Sequence, residues 1–326
     1  MANIPPFALD PVVAASFTIG AGDAIATAGS CFAQHISRSL QDQGMHYLVA
    51  EAAPEGMGGA QARAANYGTF SARYGNLCTT RQLVQLFDRA YGAFRPALRA
   101  WHSADGSVLD PFRPLIQPGG FATQAEMLAD RERHIGRVRA MFETLTVFIF
   151  TLGLTEGWGH DCDGAVVPLA PGVADDGAEQ AGFSFVDVHA DILAFAARLR
   201  SVNSAARIIL TVSPVPLIAT YEDRHVLTST VYSKSVLHAA CIEAQAKFPG
   251  LVYFPSFEII TAPINRDRYF EADLRSVNMI GVEHVMRVFQ RHFEAGVAGT
   301  PAVALNLTLD IDASRHIICD EEILDR

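Results

Sequence analysis

Short apolar runs alternate with amphipathic stretches along most of this chain. Residues 24–28, Val147–Leu152, Arg207–Val212 and 251–254 are apolar, β-branched or aromatic nearly throughout and predict buried strands; residues 47–50 form a weaker fifth candidate. Helical spacing fills the intervals. Phe32, Ile36 and Leu40 recur at near-fourfold spacing in 31–41, Leu83, Leu86, Phe87 and Ala90 mark 80–91, and Met127, Ile135, Val138 and Phe142 form one face of 126–144. Residues 188–201, 233–247 and 280–295 complete the set. Continuously apolar strands alternating with amphipathic helices predict an α/β protein whose parallel sheet is covered on both faces.

Two segments break the rhythm. Residues 52–64 are rich in Gly and Ala, and 161–181 in Gly, Asp and Pro; both read as surface insertions near the carboxyl edge of the sheet. After Gly296 come a β-like run, 302–309, and a polar end. With no internal repeat and no long linker, the simplest organisation is one α/β domain over 1–296 and a C-terminal extension over 297–326.

Composition narrows the classes. Half of the 326 residues are hydrophobic, ample for a full core. A formal net charge of −10 argues against nucleic acid or an anionic membrane as partner, though it leaves room for an anionic sugar in a local basic pocket. The amino terminus lacks a basic segment followed by an apolar core, and no apolar run approaches the ~18 residues of a membrane span, so a cytoplasmic protein is expected. Cys31, Cys78, Cys162, Cys241 and Cys319 are odd in number and widely spaced, as befits reduced thiols. The first strand has no Gly-x-Gly-x-x-Gly after it and no phosphate-binding loop, so no nucleotide cofactor is expected. The eleven histidines show no His-x-His or His-Glu-x-x-His spacing, and no metal is expected; His316, Cys319, Asp320, Glu321 and Glu322 read as a solvated acidic tail.

The candidate chemistry sits where strands end. In Thr27-Ala28-Gly29-Ser30-Cys31-Phe32-Ala33 an apolar strand meets a helix through a Gly-Ser turn. Such a turn lies at the carboxyl end of a parallel strand, where ligands bind. Ser30 can be the N-cap of the helix or a nucleophile whose backbone N–H and helix dipole hold an oxyanion; both readings share one geometry. Asn66-Tyr67-Gly68-Thr69 can point a backbone N–H at a ligand or be an ordinary turn. Gly153-Leu154-Thr155-Glu156-Gly157-Trp158 reads as a second carboxyl-end loop, with Thr155 able to donate to an oxyanion and Glu156 to bind a polar substrate. Ser213-Pro214-Val215-Pro216 is a third, with an architectural role. Asp273-Leu274-Arg275-Ser276 precedes the last helix, a natural place for a base and its carboxylate, and His284 follows about two turns into that helix.

These blocks resemble the GSCFA family of bacterial proteins, itself related to the SGNH, or GDSL-like, hydrolases. Gly29-Ser30-Cys31-Phe32-Ala33 matches the family pentapeptide in full, and Asn66-Tyr67-Gly68, Thr151-Leu152-Gly153, Thr211-Val212-Ser213-Pro214-Val215, Ser233-Lys234 and Phe254-Pro255-Ser256-Phe257-Glu258 follow in order. The resemblance implies a three-layer α/β/α sandwich of flavodoxin-like SGNH fold with a parallel sheet of about five strands. It implies Ser30 as nucleophile, and an oxyanion hole from the Ser30 N–H, Gly68 and Thr155, the last standing where SGNH enzymes carry asparagine. The histidine of the expected Asp-x-x-His is here Ser276, which leaves Asp273 as an orienting acid without its imidazole. Candidate replacement bases are His225, His284, His102, His35 and Lys234; Cys31, beside Ser30, reads as core packing.

The expected activity is therefore an SGNH-like serine esterase or O-acyltransferase acting on an acyl ester, a small molecule or a bacterial carbohydrate, with a non-standard or absent histidine base. The alternative is a catalytically weak carbohydrate-binding or polysaccharide-assembly module on the same scaffold. A third reading has Glu156, Arg275 and Lys234 hold an anionic donor. Nothing in the sequence specifies an oligomeric state.

Overall fold

The computed structural model describes residues 5–168 and 178–295. The β-like run 302–309, the tail cluster around His316 and the extension 297–326 lie outside the described residues, as does part of the 161–181 insertion. In chain order the elements are β1 (Ile25–Gly29), α1 (Phe32–Asp42), α2 (Gly59–Ala64), α3 (Thr80–Ala90), β2 (Trp101–His102), β3 (Val108–Leu109), α4 (Gln124–Thr144), β4 (Val147–Leu152) and β5 (Glu156–His160). There follow β6 (Val166–Val167), β7 (Ala178–Gly182), α5 (Phe185–Val202), β8 (Arg207–Val212), α6 (Val226–Lys247), β9 (Leu251–Tyr253), α7 (Ser256–Thr261) and α8 (Met279–Phe293).

The central sheet runs β1-β4-β8-β9, all parallel. Successive side chains on a strand point to opposite faces, and the two cores divide accordingly. Phe148, Phe150 and Leu152 of β4 join α3, α4, α5 and α6 on one face. Val147 and Ile149 join α1, α7 and α8 on the other. The result is a three-layer α/β/α arrangement in which both faces of the sheet are covered, as the apolar runs predicted. No helix among the described residues is long and apolar enough to cross a membrane.

The sheet has four strands, not five. The candidate at 47–50 reaches β1 only through an isolated parallel bridge between Ile25 and Tyr47. Beyond it the outer edge of β1 is already satisfied: the Thr27 N–H donates to Ser71 Oγ (3.0 Å), and the Tyr74 hydroxyl donates to the Thr27 carbonyl. The Ala50 N–H goes to the Ser71 carbonyl instead (2.8 Å). At the opposite edge, the Leu251 N–H of β9 donates to the Phe248 carbonyl (3.1 Å) and the Tyr253 N–H to Gln245 Oε1 (2.6 Å).

Two further corrections concern the insertions. The stretch read as a loop after β4 becomes β5, the middle strand of a small antiparallel sheet ordered β6-β5-β7, and the described parts of 161–181 supply its neighbours. Residues 52–64 carry the short exposed helix α2.

The excursion between β1 and α4 is held by a buried ionic network. Arg73 pairs with Asp130 (3.1 Å) and Glu51 (3.8 Å); Arg113 pairs with Asp110 (2.8 Å) and Asp130 (2.9 Å); and Arg131 pairs with Asp110 (2.7 Å). His134 of α4 contacts Glu51 through Nδ1 (2.7 Å). The remaining guanidinium N–H groups bind loop carbonyls, Arg73 reaching Ala65 and Ile116 and Arg113 reaching Arg73. Removing one partner from such a network strands the other charge, at a cost of about 3–5 kcal/mol.

Burial holds His134 and His284 neutral. It lowers each imidazole from 6.5 to about 4, although Glu51 pulls His134 the other way and the Leu9 carbonyl does so for His284. Between pH 6.5 and 4 the unfolded chain binds protons that the folded chain refuses, so stability is full above pH 6.5 and falls as pH drops toward 4. Urea unfolding free energy should be flat near neutrality and decline through this window by on the order of 1–3 kcal/mol per histidine. In His134→Gln, whose amide can still donate to Glu51, the decline should be shallower; an unchanged slope would show that this imidazole does not titrate with folding.

Candidate active site

Ser30 is placed by two backbone constraints. Gly29 ends β1 at φ +141°, and a Cβ there would lie 2.4 Å from the Thr151 carbonyl oxygen and 2.7 Å from its nitrogen. Only glycine lets β1 run this close to β4. The next N–H, that of Ser30, donates to the Thr151 carbonyl (3.0 Å), which fixes the turn against β4. Helix α1 then starts with Cys31, in helical conformation, as its N-cap, with no side-chain cap hydrogen bond. The Ser30 side chain likewise caps no helix N–H. It is buried, and Oγ has no hydrogen-bond partner. A buried hydroxyl left unpaired costs about 1–3 kcal/mol, so its retention calls for an explanation.

Ser30 opens onto a cavity at the carboxyl ends of the central strands. The loop after β4 contributes Gly153, the start of β5 Glu156, the loop after β8 Ser213 and Pro216, helix α6 Lys234, and the loop before α8 Arg275. Gly153 is pressed against the serine: a Cβ on it would lie 2.9 Å from Ser30 Cβ and 3.2 Å from the Cys78 carbonyl oxygen. The buried Lys234 donates through Nζ to the Gly153 carbonyl (2.7 Å), which brings an amine to the same wall. Glu156 accepts from the Thr220 hydroxyl through both oxygens (2.9 and 3.0 Å).

Trp158 lies two residues beyond Glu156 on β5, on the same side of the strand, and is paired with Val167, another lining residue. The half-exposed Tyr221 packs edge-on against its indole, with ring centroids 4.7 Å apart. The cavity thus joins a serine hydroxyl, an amine, a guanidinium and a carboxylate.

The structure brings Ser30, Glu156, Lys234 and Arg275 together and leaves the other sequence candidates outside the cavity lining. Gly68, at φ +73°, has open space around its Cα. Asn66 donates to the Leu115 carbonyl (3.1 Å) and lines a separate smaller cavity. Thr155 is buried, its N–H donating to Ser233 Oγ (2.9 Å). The Ser30 N–H itself is spent on Thr151. The oxyanion hole expected from Ser30, Gly68 and Thr155 is therefore not assembled.

The candidate histidine bases fare no better. His225 is the N-cap of α6, its Nδ1 accepting from the Leu227 N–H (3.1 Å). His284 is buried, with Nδ1 on the Tyr269 hydroxyl (2.7 Å) and Nε2 on the Leu9 carbonyl (2.8 Å). His102 sits exposed on β2. His35 packs on Phe32 within α1, and burial, reinforced by the Arg38 charge, lowers its imidazole to about 4. Among the described residues no histidine lines the cavity.

Asp273 orders a loop, not an imidazole. Its Oδ2 accepts from the Ser276 hydroxyl (2.6 Å) and its Oδ1 from the Arg275 and Ser276 N–H groups (both 2.9 Å). Burial works against ionisation, but these hydrogen bonds outweigh it and hold the carboxyl below its usual range. The serine in the histidine position thus completes a turn that puts Arg275 on the cavity wall.

Sequence reasoning missed Asn76, Cys78 and Gln82, which complete the wall. Asn76 is buried, its Oδ1 accepting from Gln34 Nε2 of α1 (3.2 Å). A signal existed: Tyr74-Gly75-Asn76 repeats the Tyr-Gly pair of Tyr67-Gly68 seven positions on, and Gly75 shares the positive φ of Gly68.

The GSCFA family model matches residues 24–289, a span that contains every lining residue named above. No curated protein matches the chain.

Gly153→Ala should test the contact with Ser30. The added methyl must displace the Ser30 side chain or the Cys78 backbone, and urea denaturation should show a loss of about 1–3 kcal/mol. Wild-type stability would mean that the loop after β4 yields at no cost.

Proposed function

This chain belongs to the GSCFA family, and we propose that it is an SGNH-like serine esterase or O-acyltransferase acting on an acyl ester of a bacterial carbohydrate. The observation that carries this reading is the buried Ser30 hydroxyl without a hydrogen-bond partner, on a residue that lines a cavity with Lys234, Glu156 and Arg275. Each group has a task suited to its chemistry. Ser30 Oγ attacks the acyl carbonyl carbon, and its proton passes to Lys234 in its neutral amine form, a Ser–Lys pairing that serves acyl transfer elsewhere. Asn76 takes the donor role at the developing oxyanion. The sugar alkoxide leaves with the proton from Lys234, and an acyl group remains on Ser30. Water or a second sugar hydroxyl then takes the acyl group by the reverse sequence. Glu156 accepts hydrogen bonds from sugar hydroxyls, and the apolar lining from Val167, Pro168, Val215 and Pro216 packs against the acyl chain or ring.

One observation favours a second reading. The Ser30 N–H is committed to Thr151 and, among the described residues, no imidazole lines the cavity, as suits a scaffold that binds carbohydrate with little turnover.

A fluorophosphonate probe separates the two. Stoichiometric labelling that disappears in Ser30→Ala is expected, with Lys234→Met slowing labelling about 10²–10⁴-fold, the usual contribution of a positioned base. No labelling of the wild-type protein at any pH between about 6 and 9 would overturn the enzyme and leave the binding module.

A further inference from the structure

At the far end of β5, away from Ser30, the chain reads His160-Asp161-Cys162-Asp163-Gly164. Three of these side chains converge. A ring nitrogen of His160, the Cys162 sulfur and a carboxylate oxygen of Asp163 all lie within 4.8 Å of one another, and Cys162 Sγ is 3.0 Å from His160 Nδ1. We propose that this turn binds a thiophilic divalent cation, zinc by its chemistry, through His160, Cys162 and Asp163.

The donor set argues for this class of ion. Imidazole nitrogen and thiolate sulfur suit zinc and its neighbours in the first transition row and are poor ligands for magnesium or calcium. A thiolate and a carboxylate together cancel the charge of a dication. On binding, the Cys162 thiol loses its proton to solvent as the sulfur–metal bond forms, and nothing is oxidised or reduced. Cys162 is exposed, so the ion would keep a solvent molecule in its remaining position.

The ligands are held by the backbone more than by one another. The Gly164 N–H donates to the His160 carbonyl (2.8 Å) and the His160 N–H to the Ala165 carbonyl (2.9 Å), closing the turn. Asp163 accepts one N–H on each oxygen, from Ala165 (3.0 Å) and from Ala97 (2.5 Å), which aims the carboxylate and leaves lone pairs on both oxygens. Such secondary hydrogen bonds are what orient metal ligands. Gln85 of α3 clasps the turn from outside, donating to the Gly164 carbonyl (2.7 Å) and accepting from the Val166 N–H (2.8 Å). A search for His-x-His spacing passes over the site because its three ligands are of three kinds.

The site bears on the cavity through the strand it terminates. β6 begins one residue after Ala165 and contributes Val167, followed by Pro168, to the wall of the Ser30 cavity. A metal at the turn would fix that wall without touching the serine, so the proposal stands whether or not Ser30 is a nucleophile.

Titration of the whole chain with zinc, followed calorimetrically, and with cobalt(II), followed by the thiolate-to-cobalt charge-transfer band, tests it. One equivalent is expected, with a band that vanishes in Cys162→Ser, affinity reduced at least tenfold in His160→Ala and Asp163→Asn, and a zinc-dependent rise in melting temperature absent from Cys162→Ser. A missing band, or one that survives in Cys162→Ser and so belongs to another thiol, overturns the proposal. The substitutions lie in a surface turn, and melting without metal reports whether each variant still folds.

Discussion

The approach of β1 to β4 at Gly29 governs the site. The backbone there lies so close to Thr151 that any side chain would overlap its peptide group. This contact delivers Ser30 to the carboxyl edge, spends the serine N–H on the neighbouring strand, and starts α1 one residue later, at Cys31. Gly153 repeats the constraint from the other side, since only a hydrogen fits between its Cα and the Ser30 side chain. The hydroxyl is therefore held by sterics rather than by hydrogen bonds. A rigidly held, unpaired polar group is a costly arrangement for stability and a suitable one for meeting a ligand.

The buried ionic network carries the second half of the site. Asn76 and Cys78 lie on an excursion with little regular structure of its own. Guanidinium contacts from Arg73 and Arg113 to Asp130, Asp110 and the loop carbonyls hold its body, and backbone hydrogen bonds from Leu77 to Gly29 and from Gly153 and Leu154 to Cys78 tie it to the sheet. The cavity lining thus depends both on the sheet and on an excursion braced by charges kept out of water.

How much of this was legible follows from the physics of each element. The four parallel strands were readable because burial on both faces demands continuous apolar runs. Residues 47–50 misled because their hydrophobicity matches a strand, while the decision lay with Ser71 and Tyr74, distant side chains that satisfy the edge of β1. β5 escaped because two glycines and a half-buried face leave Glu156-Gly157-Trp158-Gly159-His160 no strand-like apolar pattern. Ser30 was identifiable from its strand-turn-helix context, and Glu156, Lys234 and Arg275 from their neighbouring blocks. Asn76 was not, because Tyr67-Gly68 and Tyr74-Gly75 look alike in sequence and only the second precedes a residue that lines the cavity. The absent histidine was plain at Ser276, but its consequence, a turn that presents Arg275, needed the Asp273 contacts.

The two edges of the central sheet have a consequence for assembly. At β1 the outward groups of Thr27 are taken by Ser71 and Tyr74, and at β9 those of Leu251 and Tyr253 are taken by Phe248 and Gln245. A strand from another molecule finds no open row of backbone donors at either side. Sheet continuation between copies, the usual route from exposed edges to fibrous aggregates, is thereby disfavoured at both edges of the central sheet.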